Sequence, residues 1–114
     1  MTANRLDLPQ GTLDLLILKA LSLESQHGWA VGQRIHQISR ETLTVPQGSL
    51  YPALYRLEER GWVTAEWRLS ERNRRAKFYA LTALGRAELR GQMSRWAQFS
   101  GAVNRVLIAE ERPS

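Results

Sequence analysis

The chain has 114 residues, 43% of them hydrophobic and 24% charged, which bounds it to one globular domain around one core. Its net charge of +5 is carried almost entirely by arginine, whose planar guanidinium suits phosphates, so charge alone allows a nucleic-acid partner. The absence of cysteine excludes disulfides and fits a cytoplasmic protein, and no apolar run approaches the ~20 residues of a membrane span.

The first half of the chain predicts three helices after a flexible arm at residues 1–9. Thr12 is the predicted N-cap of a first helix, LDLLILKAL, which is apolar on most sides and therefore central. A second helix is expected from about Gly28 to Ser39, between the polar turn SLESQHG and the connector RETLTV, which has room for a brief edge strand. The third helix is QGSLYPALYRLEERG, in which three leucines recur at helical spacing: Leu50, Leu54 and Leu57.

The second half predicts a β-hairpin and a long helix. WVTAEW and AKFYALT alternate as strands do, and the charged LSERNRR between them is a loop whose Asn73 we expect at a positive φ. Thr82 is the predicted N-cap of a last helix that runs to about Ala109. The fold is therefore mainly α with a small β-hairpin, a winged helix-turn-helix domain followed by a long C-terminal dimerisation helix. The hairpin is the wing.

Four segments together resemble the PadR family of bacterial transcriptional regulators: LPQGTLDLLILKAL, HGWAVGQRI, QGSLYPALYRLEERGWV and NRRAKFYALTALGR. The resemblance runs from about Leu8 to Arg86, and the short C-terminal region is similar to the subgroup that dimerises through essentially one helix. Trp29 and Phe78 depart from the tyrosines usual in the family. The resemblance implies a homodimeric, DNA-binding repressor that a small molecule or another signal releases.

We therefore expect a flexible arm at residues 1–9, a winged-helix DNA-binding domain at 10–82 and a dimerisation helix at 83–110. The predicted partners are double-stranded DNA and a second copy of the chain, with no cofactor and no membrane. The rival hypothesis is a winged-helix module that binds protein instead, although an arginine-rich face favours DNA. We expect no enzymatic activity, because two histidines without cysteine leave a zinc site short of ligands, and no phosphate loop or nucleophile motif is present.

The leading half of the third helix is the predicted base-reading element. Its candidate DNA contacts point away from the leucine stripe: Gln47, Ser49, Tyr51, Pro52, Tyr55 and Arg56. The alternatives are that the tyrosines pack on another element and that Arg56 pairs with Glu59 or Glu41. The proline allows two arrangements: Ser49 is the N-cap, so that Pro52 loses no bond, or the helix begins at Pro46 and must kink or widen. The early start of the third helix in the PadR family favours the second.

The hairpin loop is the second predicted contact with DNA. Its candidate residues carry mostly positive charge, and neutralising phosphates would make binding fall steeply with salt: Arg72, Asn73, Arg74, Arg75 and Lys77. Wing arginines also fit a narrow minor groove. The alternative is a solvated charged turn, but behind a helix of this type we favour DNA.

The last helix predicts self-association. Its apolar residues form a heptad seam through Ser100, widened by two further residues: Leu89, Met93, Trp96, Phe99, Val103, Val106 and Leu107. Such a helix spans roughly 40 Å, more than a core of this size covers, so the surplus face needs a partner, most economically a second copy. Trp96, doubled by symmetry, is a candidate binding residue for a small aromatic effector; the alternative is that it only packs the interface.

Overall fold

The computed structural model describes Leu8 and residues 11–112 and contains four helices and a three-stranded antiparallel sheet in this part of the chain. The helices are α1 (Thr12–Leu23), α2 (Gly28–Ile38), α3 (Gln47–Glu59) and α4 (Ala83–Leu107). The strands are β1 (Gln26–His27), β2 (Val63–Leu69) and β3 (Arg75–Leu81). The predicted winged-helix architecture with a long last helix is confirmed. The predicted arm, residues 1–9, lies outside the described residues apart from Leu8.

The core is built around α1, which packs against α2, α3, α4 and β3. Apolar residues on most sides of α1 give it this central place, as its sequence predicts. The leucine stripe of α3 is fully buried against it, so the stripe fixes how α3 is rotated. The buried hydrophobic residues come from all four helices and two strands: Ile17, Leu18, Ala20, Leu21, Val31, Ile35, Leu50, Ala53, Leu54, Leu57, Val63, Tyr79 and Leu89.

The sheet has the order β1-β3-β2, and its first strand corrects the sequence analysis. The segment predicted as a polar turn contains β1, which pairs with the outer edge of β3 through Gln26↔Tyr79 and His27↔Phe78. Gln26 is buried, and its Nε2 donates a hydrogen bond to the Ala20 carbonyl at 3.4 Å, so a polar residue can occupy this strand. The connector at residues 40–45 contains only a single bridge residue, Leu43, instead of the expected edge strand.

The two predicted helix caps have different outcomes. Gly11, at a φ of 92°, is the N-cap of α1, so Thr12 is the first helical residue and the predicted cap is wrong by one position. Thr82 caps α4 as predicted: its Oγ1 accepts the Gly85 N–H at 2.9 Å and donates to the Gly61 carbonyl at 2.7 Å. The second of these bonds attaches the start of α4 to the turn after α3.

Candidate nucleic-acid interface

The rotation of α3 leaves one face of the helix open to solvent. Burial of the leucine stripe and of Ala53 turns the opposite side outward. All six candidate contacts on α3 are exposed: Gln47, Ser49, Tyr51, Pro52, Tyr55 and Arg56. The leading half of α3 therefore presents the residues that the sequence analysis selected, with Gly48 among them.

The start of α3 decides between the two arrangements of its proline. Pro46 is the N-cap in an extended conformation, and its carbonyl accepts hydrogen bonds from Ser49 and Leu50, both at 3.0 Å. Gln47 is the first helical residue, so Ser49 is not the cap and Pro52 lies inside the helix, beyond its first turn. The early start is confirmed, displaced from Pro46 to Gln47. Pro52 consequently removes one backbone hydrogen bond from α3.

The two tyrosines of α3 have different surroundings. Tyr51 is 44% exposed, but its Cε1 lies only 3.0 Å from where a Cβ on Gly28 would stand, so its ring borders the start of α2. Tyr55 is 60% exposed. The packing alternative thus applies in part to Tyr51, whose position is fixed by α2, while Tyr55 projects into solvent. Both hydroxyls are donors of the kind that phosphate oxygens and base edges accept.

Arg56 is held by an acid that the sequence analysis did not select. Its Nη2 donates to Oδ1 of Asp14 at 3.0 Å, which joins α3 to the first turn of α1. The suggested partners Glu59 and Glu41 are therefore wrong as partners of Arg56. The guanidinium remains about half exposed, so the pair is a surface ion pair that a nearby phosphate can compete with.

The wing loop, residues 70–74, is held in a defined turn. Backbone bonds run from Ser70 N–H to the Arg74 carbonyl at 2.7 Å and from Asn73 N–H to the Ser70 carbonyl at 2.9 Å. The Ser70 Oγ accepts the backbone N–H groups of Arg72 and Arg74 at 3.3 Å. Asn73 has a φ of 61°, which confirms the predicted positive value. The loop therefore presents its arginines from a turn whose backbone is tied down.

The arginines of the wing differ in what holds them. None of the ion pairs among the described residues includes Arg72 or Arg74, and both are exposed. The Arg75 guanidinium stacks 5.3 Å from the centre of the Trp67 ring, which is a cation–π geometry. Arg68 forms an ion pair with Glu66, two residues earlier on β2. The loop thus offers two arginines free of acids and a third that is oriented by an aromatic ring.

The base of the wing is joined to α3 through Lys77. Its Nζ lies 3.3 Å from Oε1 of Glu58 and 5.7 Å from the centre of the Tyr79 ring. Lys77 is the one candidate DNA contact that is partly buried. Burial raises the pKa of the Tyr79 hydroxyl, and the neighbouring Lys77 charge opposes that rise. The ion pair with Glu58 thus links the base of the wing to α3.

A cleft of about 1250 Å³ lies between the wing, the start of α2 and Tyr51 of α3. Two of its lining residues, Trp29 and Trp67, were not among the candidate DNA contacts predicted from the sequence. The aromatic and cationic side chains of its walls include Trp29, Tyr51, Trp67, Arg72, Arg74 and Lys77. Trp29 and Trp67 are more than half exposed. By strand alternation Trp67 lies on the same face of β2 as the buried Val63, but the hairpin extends beyond the core at that point. The only signal for this in the sequence is the length of β2, which exceeds the part of the strand that the core covers.

Most of the apolar face of α4 is uncovered. Leu89 is buried against the domain, whereas the rest of the predicted seam and Ile108 are exposed: Met93, Trp96, Phe99, Val103, Val106 and Leu107. The Trp96 and Phe99 rings lie 6.3 Å apart, centre to centre, within an aromatic contact. These six side chains of α4, with Ile108 at its C-cap, form an exposed apolar surface of the kind that contacts a partner.

Other chemistries find no support among the residues described. No group of three or more acidic or histidine side chains in this part of the chain is placed to hold a metal ion. No helix in the described part of the chain is both long and apolar enough to cross a membrane. The side-chain groups that this surface presents to a partner are cations, hydroxyls, amides and aromatic rings.

The family model and the solved structures that are similar to this chain indicate the same family. The model of the "Transcriptional regulator PadR-like family" matches residues 17–91. A PadR family transcriptional regulator from Eggerthella lenta has the same fold, with 27% identity, a TM-score of 0.77, and coverage of 89% of this chain and 86% of that one. An uncharacterised protein from Lysinibacillus sphaericus is 27% identical over 82% of this chain and 86% of its own length. An uncharacterised transposon protein from Streptomyces fradiae is 36% identical, and the match covers 85% of this chain but about a quarter, 26%, of that protein.

Proposed function

Because the chain belongs to the PadR-like family of transcriptional regulators, which is not a family of enzymes, we propose that it represses transcription as a homodimer bound to a pseudo-palindromic operator. In this proposal the leading half of α3 enters the major groove and the wing loop contacts the phosphate backbone and the adjacent minor groove. Bound there, the dimer blocks access to the promoter. Such a repressor acts in the cytoplasm, where bacterial DNA lies.

One observation carries the proposal: a residue of the exposed leading half of α3 and two acid-free arginines of the wing loop border the same cleft. Tyr51 lines that cleft from α3, while Arg72 and Arg74 line it from the wing. A nucleic-acid backbone is bound by cations and hydrogen-bond donors; here the two arginines supply the charge and the Tyr51 hydroxyl supplies a donor. Glu58, an acid that would repel phosphate, is instead paired with Lys77.

Dimerisation is supported by the uncovered seam of α4. Water would face Met93, Trp96, Phe99 and the residues beyond them in an isolated chain, which costs free energy in proportion to the apolar area. A second α4 packed across a two-fold axis covers the same surface on both subunits. The two copies of α3 would then read two half-sites about one turn of DNA apart, which makes a pseudo-palindromic operator.

Release by an effector is the third part of the proposal. Trp96 is 45% exposed and borders Phe99, so symmetry would bring four aromatic rings to the middle of the interface. A small planar aromatic molecule can stack between such rings. Titrating planar aromatic compounds against tryptophan fluorescence, with Trp96→Phe as the control, tests this part. It fails if no compound that releases DNA also changes the Trp96 signal.

A mobility-shift titration on the DNA upstream of the gene tests the function itself. We expect a shifted complex at low salt, loss of the complex as salt rises, and competition by the unlabelled fragment but not by a scrambled one. Gln47→Ala should mainly relax sequence preference, whereas charge reversal at Arg74 and Arg75 should weaken binding to every sequence. If no fragment is shifted at low salt, the winged helix is instead a module for binding protein.

A further inference from the structure

Gly48 and Pro52 leave part of the exposed face of α3 without a long side chain. They lie one helical turn apart, and both are open to solvent. A Cβ added to Gly48 would meet no heavy atom within 4 Å among the described residues, so nothing in this part of the chain requires a glycine there. Glycine inside a helix is nevertheless less stable than alanine, and proline is much less so. The pair weakens the helix without improving its packing.

The pair also changes the hydrogen bonding of the backbone. In α3 the carbonyl of Gly48 would ordinarily accept the N–H of residue 52, but Pro52 has no N–H and its ring presses on that carbonyl. Carbonyls on the solvent side of a helix already tilt outward. The first two turns of α3 therefore offer an accessible backbone acceptor without its usual donor.

An acceptor selects its ligand by chemistry. Phosphate oxygens are acceptors themselves, so they do not pair with a carbonyl. In the major groove the donors are the exocyclic amines, N6 of adenine and N4 of cytosine. These amines stand at different places across an A·T and a G·C pair, so an acceptor in a fixed position distinguishes between them.

We propose that the Gly48 carbonyl is a base-reading group, which accepts a hydrogen bond from an adenine or cytosine amine in the major groove. The missing Cβ of Gly48 lets the base edge approach the backbone, and Pro52 leaves the carbonyl without its helical donor. This inference rests on the proposed binding of α3 to DNA. It assigns part of the specificity to the backbone rather than to a side chain.

Deletion of single amines from the DNA tests the contact. An operator is first selected from random duplexes with the full wild-type chain, and adenine is then replaced by purine, or cytosine by 2-pyrimidinone, one position at a time. At one position in each half-site the wild type should lose affinity about threefold to tenfold, as expected for one uncharged hydrogen bond. Pro52→Ala should lose less there, because its new N–H competes with the base amine for the carbonyl. Equal losses for both proteins at every position would overturn the proposal.

A second pair of variants tests the close approach. Gly48→Ala and Gly101→Ala each fill a helical glycine with little or no contact, since a Cβ on Gly101 meets only the Arg105 guanidinium, at 3.7 Å. Both should raise the melting temperature, but only Gly48→Ala should weaken operator binding, by about tenfold. Operator affinity unchanged by Gly48→Ala would remove the close approach and the proposal with it. Failure of the wild type to select any operator would instead overturn DNA binding itself.

Discussion

Arg56 on the candidate DNA-reading helix donates a hydrogen bond of 3.0 Å to Asp14, 42 residues earlier in the chain on α1. Asp14 is mostly buried by its surroundings, while the Arg56 guanidinium is about half exposed. The acid therefore neutralises one cation beside the proposed DNA surface and fixes where it points. Binding of a phosphate by Arg56 has to compete with this pair.

Asp14→Asn should strengthen binding to non-specific duplex DNA several-fold, because it removes a negative charge near phosphate and releases Arg56. The free energy of unfolding should fall by no more than about 1 kcal/mol, as is usual for a surface ion pair. Affinity is measured by fluorescence anisotropy at several salt concentrations. Glu110→Gln, which makes the same change in net charge on an exposed C-terminal residue, is the control. Equal gains from the two variants would mean that only net charge matters.

Gly85→Ala should destabilise the fold, because α4 passes too close to the end of the α3–β2 turn for a side chain. A Cβ at this position would overlap the Trp62 carbonyl oxygen and stand 2.8 Å from Leu81 Cδ1. We expect a loss of about 1–3 kcal/mol in the free energy of unfolding, measured with urea. Gly91→Ala is the matched control, since its Cβ would meet only the mobile end of Arg95, and it should stabilise by up to about 1 kcal/mol. Similar losses in both variants would contradict the close approach.

Stability should fall at alkaline pH because of Tyr79. Burial raises its pKa in the folded chain, so as pH rises past about 10 the unfolded state loses this proton first and is favoured. The contribution of Tyr79 to stability is complete when the pH is below the pKa of this tyrosine in the unfolded chain. It is lost as the pH rises through the higher pKa of the folded chain. Urea unfolding between pH 8 and 11.5 should show a shallower decline for Tyr79→Phe. Tyr55→Phe, at an exposed position, should decline like the wild type; identical curves for all three proteins would exclude a role for Tyr79.

Phe99→Glu should convert the proposed dimer to a monomer. Phe99 is 63% exposed in the single chain, so the substitution leaves the core intact but places a charge in the proposed interface. Sedimentation should give half the wild-type mass with unchanged helical content, and operator affinity should fall by at least tenfold. Gln98→Glu, on the opposite side of α4, should remain dimeric. A dimeric Phe99→Glu protein would place the interface elsewhere.

Features carried by local patterns were predictable from the sequence. The leucine stripe of α3, the cap at Thr82 and the positive φ of Asn73 each depend on residues within a few positions of one another. β1 was missed because a strand of two residues, one of them a buried glutamine, has no periodicity. The pair of Arg56 with Asp14 was missed because it joins residues far apart in the chain, which only packing brings together.

The exposed tryptophans were hidden for a third reason. Trp29 and Trp67 lie on elements that the core covers only in part. The sequence pattern at the buried end of a strand does not show where the contact with the core ends. Their place beside Tyr51 in the cleft depends on how far the wing extends from α3. That distance follows from the packing of the hairpin on α1 and α3, which no spacing in the sequence shows.

The salt dependence of operator binding tests the central claim most directly. Anisotropy titrations between 50 and 300 mM salt, about the range over which phosphate contacts are screened, should give a steep linear fall of log affinity with log salt. The double variant Arg72→Ala/Arg74→Ala should give a slope shallower by about 0.9 for each lost phosphate contact, with the preference for operator over scrambled DNA retained. Arg112→Ala should match the wild type. A wild-type affinity that does not change with salt, or a slope that survives the loss of both wing arginines, would contradict the account.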